Sequence, residues 1–269
     1  MENRRIIDIH AHIYPEKIAH KAVCNIAHFY NVPENNAKGT PAHLLTLGQG
    51  YNVEYVVVNS VATAVQQVES INNFICDSAK NEPKFIAFAT LHPDMQEAEI
   101  RAEIARVKAM GLCGIKLHPD CQRFKLTGAR GHKLFSLIDA DMPILVHTGD
   151  RRGSFSNPNL MAEIVKEFPH LRFIAAHFGG YSEWDKVACY KDIPNVYFDT
   201  SSSMRFMSKA QIKDIIDLMG VDRFMFGTDY PLWGYAEDIA TLESLGLSEE
   251  DLDKIFYTNA YNFFNISNK

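Results

Sequence analysis

The chain has 269 residues, 46% of them hydrophobic, with five cysteines and a formal net charge of −6. That length and apolar content suit one large domain whose core needs no disulfide staples. An acidic balance with no Lys/Arg run longer than Arg4-Arg5 or Arg151-Arg152 argues against nucleic acid as a partner. The cysteines form no C-x-x-C pair and read as reduced thiols. No apolar leader or membrane-length run is seen, so a cytoplasmic protein with no membrane partner is expected.

Short apolar runs alternate with longer amphipathic stretches along the whole chain. The first strand is predicted at 6–10 (IIDIH). From about 24 to 50 the periodicity is weak, with Pro33, Asn35, Asn36, Gly39 and Pro41, and the segment reads as an extended insertion near a site mouth. A strand follows at 54–60. Val65, Val68, Ile71 and Ile75 then recur at helical spacing. After a strand at 85–92 comes a helix over 96–110, carried by Ile100, Ile104, Val107 and Met110, with Gly111 placed to cap it. Strands are predicted at 113–118 and 143–148, and a helix opens at Pro158. Further strands fall at 172–177 and 195–201. A helix carries Ile212, Ile215, Ile216 and Met219, and the last strand lies at 223–229. A final helix starts at Ser248, with Asp251 three residues on as an approximate capping box.

Eight strands alternating with helices read as parallel βαβ units, since parallel neighbours need a crossover. The count and length point to a single-domain (β/α)8 TIM barrel over 1–269. A doubly wound open sheet is the alternative.

The polar residues then fall into a pattern. Asp8, His10 and His12 alternate on the first strand, so they are expected on one face. His118, His147, His177 and Asp229 each close a later apolar run at its C-terminal end, and Asp199 sits late on the seventh. That end is where barrel enzymes build their sites. Taken singly, a strand-end histidine is usually a satisfied structural group, and an H-x-H alone is weak. Strand after strand ending in a buried His or Asp is costly without partners or a metal. Two imidazoles on one strand, with a third imidazole and a carboxylate from others, suit Zn²⁺, with Mn²⁺, Fe²⁺ or Co²⁺ as further options.

The motifs IDIHAHIYP (7–15), GIKLHP (114–119), PILVHTG (143–149), AAHFGG (175–180), VYFDTSS (196–202), FMFGTDYP (224–231) and TNAYNFF (258–264) span nearly the whole chain. Together they resemble the amidohydrolase superfamily, in the amidohydrolase-related branch that includes aminocarboxymuconate-semialdehyde decarboxylase and resorcylate-type decarboxylases. The resemblance implies one divalent metal held by His10, His12, His147 and Asp229. It implies that His177 is the general acid/base beside the metal water, or else a ligand of a second metal. Asp229 can share a proton with that water.

Around this set several readings stay open. Lys116 is a cationic contact for a substrate carboxylate, a bridging carbamate, or a lysine paired with barrel carboxylates. His118 binds substrate or supports a ligand. Arg151 and Arg152 clamp an anionic substrate or form a solvated pair. Tyr14 and Trp233 wall the pocket or simply pack there. Asp199 orients a ligand histidine through its second nitrogen.

The expected function is a metal-dependent hydrolase acting on an ester, lactone or amide of a small, carboxylated molecule. A metal-dependent non-oxidative decarboxylase is the alternative, and a non-catalytic metal-binding barrel a remote one. The family likeness also suggests a homodimer.

Overall fold

A computed structural model describes residues 4–32 and 38–266. Its eight strands are β1 (Arg5–His12), β2 (Asn52–Asn59), β3 (Phe85–Thr90), β4 (Gly114–Leu117), β5 (Ile144–Val146), β6 (Phe173–Ala175), β7 (Val196–Asp199) and β8 (Phe224–Met225). They lie side by side in sequence order, every neighbouring pair parallel. The chain beyond β8 closes the ring onto β1: His12 N–H donates to the Tyr230 carbonyl (2.7 Å) and Asp229 N–H to the His10 carbonyl (2.8 Å). This is the (β/α)8 barrel, and the closure excludes the open sheet.

Alternation sorts each strand's side chains into two cores. Outward residues such as Val56, Val58, Ile144 and Val146 pack beneath the helices. Inward residues, among them Ile7, Val57, Ile86, Phe88, Leu145, Ile174 and Met225, fill the barrel with Ala260, Phe263 and Phe264 from the last helix. A Cβ on Gly114 would stand 2.3 Å from the Phe88 ring. The Phe88 ring thus fills the space that the missing side chain leaves inside the barrel.

The helices form where the spacing places them. The first four are α1 (Glu16–Tyr30), α2 (Pro41–Gly48), α3 (Val68–Asn81) and α4 (Glu97–Ala109). Next come α5 (Pro119–Gln122), α6 (Ala129–Leu137), α7 (Pro158–Glu167), α8 (Lys209–Met219) and α9 (Tyr235–Glu243). Two details differ from expectation. The β1–α insertion is mostly helical: α1 and α2 occupy it, while Pro33, Asn35 and Asn36 lie outside the described residues. The final helix is broken into α10 (Glu249–Asp253), a π turn at Lys254–Thr258 and α11 (Asn259–Phe263). At its start the Ser248 hydroxyl accepts from Asp251 N–H (3.1 Å). The Asp251 carboxylate bonds that hydroxyl (2.8 Å) and not the cap's backbone, being one methylene shorter than the Glu of a true capping box. Among the described residues no helix is long and apolar enough to cross a membrane.

Candidate metal centre

The hydrogen-bonded ladder stops short of the chemistry. His118 and His147 follow the last residues of β4 and β5, His177 lies two past β6, and Asp229 four past β8. The chain turns left-handed at His177 (φ 64°), Ser202 (φ 54°) and Asp229 (φ 59°). Such angles are unusual without glycine and gather at functional sites, although Asp and His tolerate them better than most residues.

On β1 the pairing with β2 slips between Asp8 and Ala11. The expected common face for Asp8, His10 and His12 is therefore broken. Asp8 turns to the β8 side, where its carboxylate accepts from the Thr228 hydroxyl (2.7 Å) and backbone N–H (3.1 Å). Burial there raises its carboxyl to about 6. His10 and His12 point into the site. His10 Nε2 and His12 Nε2 stand 3.2 Å apart, and each is 3.4 Å from Asp229 Oδ1. A tetrahedral ion with bonds of about 2.1 Å has ligand–ligand edges of roughly 3.4 Å, so this triangle matches one face of such a site.

The outer nitrogens fix which lone pairs face inward. His10 Nδ1 bonds Asp199 Oδ2 (2.8 Å), as expected of Asp199. His147 Nε2 donates to the Gly149 carbonyl (2.9 Å), leaving Nδ1 as the atom free to face the site. That Nδ1 faces His177 Nε2 at 2.9 Å. His177 Nδ1 lies 2.9 Å from the Ser201 hydroxyl, which itself donates to Asp199 Oδ1 (2.6 Å). Lone pairs thus meet nitrogen to nitrogen inside a buried site, an arrangement that a cation relieves. His147 joins the cluster through His177 and stands outside the tight His10–His12–Asp229 triangle.

Burial lowers the basicity of every imidazole here. His10 falls to about 4, through burial and the nearby Lys116 charge. Burial likewise lowers His12 and His177, and holds His118 and His147 well below the usual range. Burial alone would raise Asp199 and Asp229, but the surrounding imidazoles outweigh it and hold both below the usual carboxylate range. Lys116 is fully buried with Nζ 2.8 Å from His10 Nε2. Burial brings it down to about 8 against the pull of Asp229 and Asp199. This placement fits a cationic contact on the floor of the site.

Above this floor lies a cavity of about 340 Å³. Its far wall is α1, through Ala22, Ile26, Phe29 and Tyr30, so the insertion does sit at the mouth. His118 stacks on His147, with ring centroids 3.9 Å apart and planes 7° off parallel. Tyr30 was not singled out from the sequence, yet its hydroxyl bonds His118 Nε2 (2.6 Å) and reaches His147 Nδ1 (3.3 Å). Asp120, also missed, lines the cavity with a carboxyl that burial raises to about 6. Ser202 bonds both Asp229 and Trp233 Nε1, so Trp233 backs the Asp229 carboxylate. Tyr14 lines the main cavity.

Of the two readings left open for Arg151, its surroundings match the solvated one. Arg151 lies outside the cavity wall, more than half exposed, and pairs with Asp185. Arg152 pairs with Asp150 and covers the outer faces of Phe29 and Tyr30. Asp150 lies two residues before Arg152 in the same loop, whereas Asp185 comes from the 3-10 turn after β6, which sequence spacing does not bring to Arg151.

Comparison with known proteins follows this geometry. A search of curated protein sequences finds no match. Among solved structures, an uncharacterized TIM-barrel protein from Bordetella bronchiseptica aligns with a TM-score of 0.79 at 16% identity, over 98% of this chain and 100% of that one. The 5-carboxyvanillate decarboxylase of Novosphingobium aromaticivorans, complexed with manganese and 4-hydroxy-3-methoxy-5-nitrobenzoic acid, aligns at 0.73 and 16%, over 97% and 96%. The 2,6-dihydroxybenzoate decarboxylase from Rhizobium aligns at 0.69 and 18%, over 99% and 100%. At these identities the likeness is one of fold. The sequence profile of the amidohydrolase family matches residues 7–266, from the first strand to the end of the last helix, and the chain belongs to that family.

Proposed function

We propose that this chain is a metal-dependent, non-oxidative decarboxylase of a small carboxylic acid, with an aromatic hydroxy acid as the first class to test. The hydrolase expected from the sequence gives way to this reading. What carries it is one cavity that joins a buried cation, Lys116, to an imidazole able to move a proton, His177, beneath an apolar wall. Loss of CO2 needs an anchored carboxylate, a proton for the carbon left behind, and little competing water. The fold shared with the two decarboxylases over nearly the full length of each chain supports it.

His10, His12, His147 and Asp229 would hold one divalent ion, Zn²⁺ by the softness of the donors or Mn²⁺ as in the Novosphingobium enzyme. When bound, that ion supplies a Lewis acid that fixes a substrate oxygen. Lys116 adds charge against the carboxylate. His177 keeps one proton at Nδ1 against Ser201 and gives or takes another at Nε2. It delivers that proton to the carbon bearing the carboxylate; the C–C electron pair returns to that carbon and CO2 departs. Tyr30 fixes the ring of His118, and with it the stacked face of His147.

No disulfide joins any of the five cysteines, which fits action in a reducing cytoplasm. A homodimer belongs to the same proposal and is checked by sedimentation.

The test is protein reconstituted with Zn²⁺ or Mn²⁺ and offered a panel of hydroxybenzoic acids alongside esters and lactones. CO2 release, with one deuterium entering the carbon that bore the carboxylate in D2O, is the expected result. Ester or lactone cleavage without CO2 would restore the hydrolase, and full metal occupancy with no turnover on any class would favour a binding barrel.

A further inference from the structure

The cavity is charged unevenly from floor to mouth. Its carboxylates, Asp120 and Asp229, are both buried, Asp229 on the floor and Asp120 beside the ligand histidines. Ile26, Phe29 and Val61 give its lining apolar surface. At the mouth stands Arg123, exposed, at the left-handed residue (φ 54°) that ends α5. Its neighbours in the rim, Asn25 and Thr63, are neutral.

Arg123 is the arginine of the cavity wall, and among the described residues its guanidinium makes no ion pair or hydrogen bond. Arg151 and Arg152, nearby in the loop after β5, are committed to Asp185 and Asp150. Arg130 of α6 is committed to Asp94. Among the described residues that line this opening, Arg123 is the arginine left for a ligand. The volume of about 340 Å³ exceeds what one ring fills, since a cavity of roughly 150 Å³ already holds benzene. There is room for a group beyond the ring that reaches the mouth.

We infer that the substrate is a dicarboxylate whose reacting acid group meets the Lys116 floor and whose second carboxylate is held by Arg123 at the mouth. This rests on the reading above that the site takes a small aromatic acid. The guanidinium fork suits a carboxylate bidentately, and an ammonium in its place offers only a point charge. An apolar lining with two cationic groups sets the distance between the acid groups and disfavours a monoacid, which leaves Arg123 unpaired.

The test is calorimetric titration of the metal-loaded protein with benzoate and with isophthalate. Wild type is expected to bind isophthalate roughly 5-fold tighter than benzoate, an advantage that shrinks with added salt. Arg123→Gln should erase the advantage and leave benzoate unchanged, and Arg123→Lys should retain part of it. Arg123 is exposed, so both variants should melt with wild type. Equal binding of the two acids by wild type, or an advantage that survives Arg123→Gln, overturns the role of Arg123 and leaves the decarboxylase reading standing. If neither acid binds the metal-loaded protein, the aromatic-acid reading falls and this inference falls with it.

Discussion

The floor of the cavity and the wall opposite it are built by different means. The floor comes from strand ends, and its imidazoles and carboxylates share partners, His12 Nδ1 excepted: Asp199 serves His10, His177 and Ser201 at once. The wall comes from one helix inserted after β1, and it meets the floor mainly through Tyr30 and packing. A network of short buried bonds tolerates little movement, whereas an apolar wall can change shape by side-chain substitution. The comparison teaches that the floor defines the reaction and the wall defines what reacts.

Substitutions can break that division or sharpen it. The largest effect belongs to the proposed ligands. His10→Ala or Asp229→Ala should drop metal from about one per chain to near none by elemental analysis, with turnover falling below detection; full occupancy in either would remove that residue from the ligand set. Next, His177→Asn should keep its metal and lose roughly 10²- to 10⁴-fold in kcat, the usual share of a general acid/base. A variant that loses its metal too would make His177 a ligand.

Acid should find the floor before the wall. The buried histidines carry depressed proton affinity when folded and about 6.5 when unfolded. Between about 6.5 and the folded value, about 4 for His10, the unfolded chain binds protons that the folded chain refuses. Stability of the metal-free protein is therefore fully present above that window and is lost as the pH falls through it. Each such histidine contributes a slope of up to about 1.4 kcal/mol per pH unit. Urea unfolding at pH 7 and pH 5 should show the drop, and equal stability at both would mean that the folded chain takes up as many protons as the unfolded one over this range, the buried Asp8 and Asp120 carboxyls included.

Smaller changes belong to the wall. Tyr30→Phe removes one neutral hydrogen bond, worth about 1 kcal/mol, so a change of roughly 5-fold in kcat/KM with metal affinity intact is expected. A loss of metal would tie Tyr30 to the floor. Smallest of all, Arg151→Ala should leave kcat/KM within about 2-fold, because its partner Asp185 lies on the exposed surface.

The same division governs what could be read from the sequence. The barrel and its floor were legible because a strand's period of two marks its buried faces and a polar residue ending an apolar run stands out. His10, His12, His118, His147, His177, Asp199 and Asp229 all announce themselves so. Asp8 misled because a one-residue slip in pairing leaves no trace in an alternating pattern. Tyr30 was hidden for another reason. The face of α1 toward the barrel is Ala19, Val23 and Ala27, while Ala22, Ile26 and Phe29 face the cavity. A helix apolar on two sides shows no single stripe, and the segment read only as an extended insertion of weak periodicity. The partner of Arg151 was illegible because a contact between segments 34 residues apart has no period at all.

The left-handed turns at His177, Ser202 and Asp229 carry a consequence for the routes by which this site can change. A β-branched or bulky residue there strains the backbone as well as removing a functional group, whereas Asn and Gly fit the angle. A mutational path through position 229 is therefore narrow. It passes through Asn, which preserves the turn and surrenders the charge, so on the proposed reading a lineage could lose its metal while keeping its architecture. Descendants of such a step would look like intact barrels with a silent centre, one substitution away from recovery.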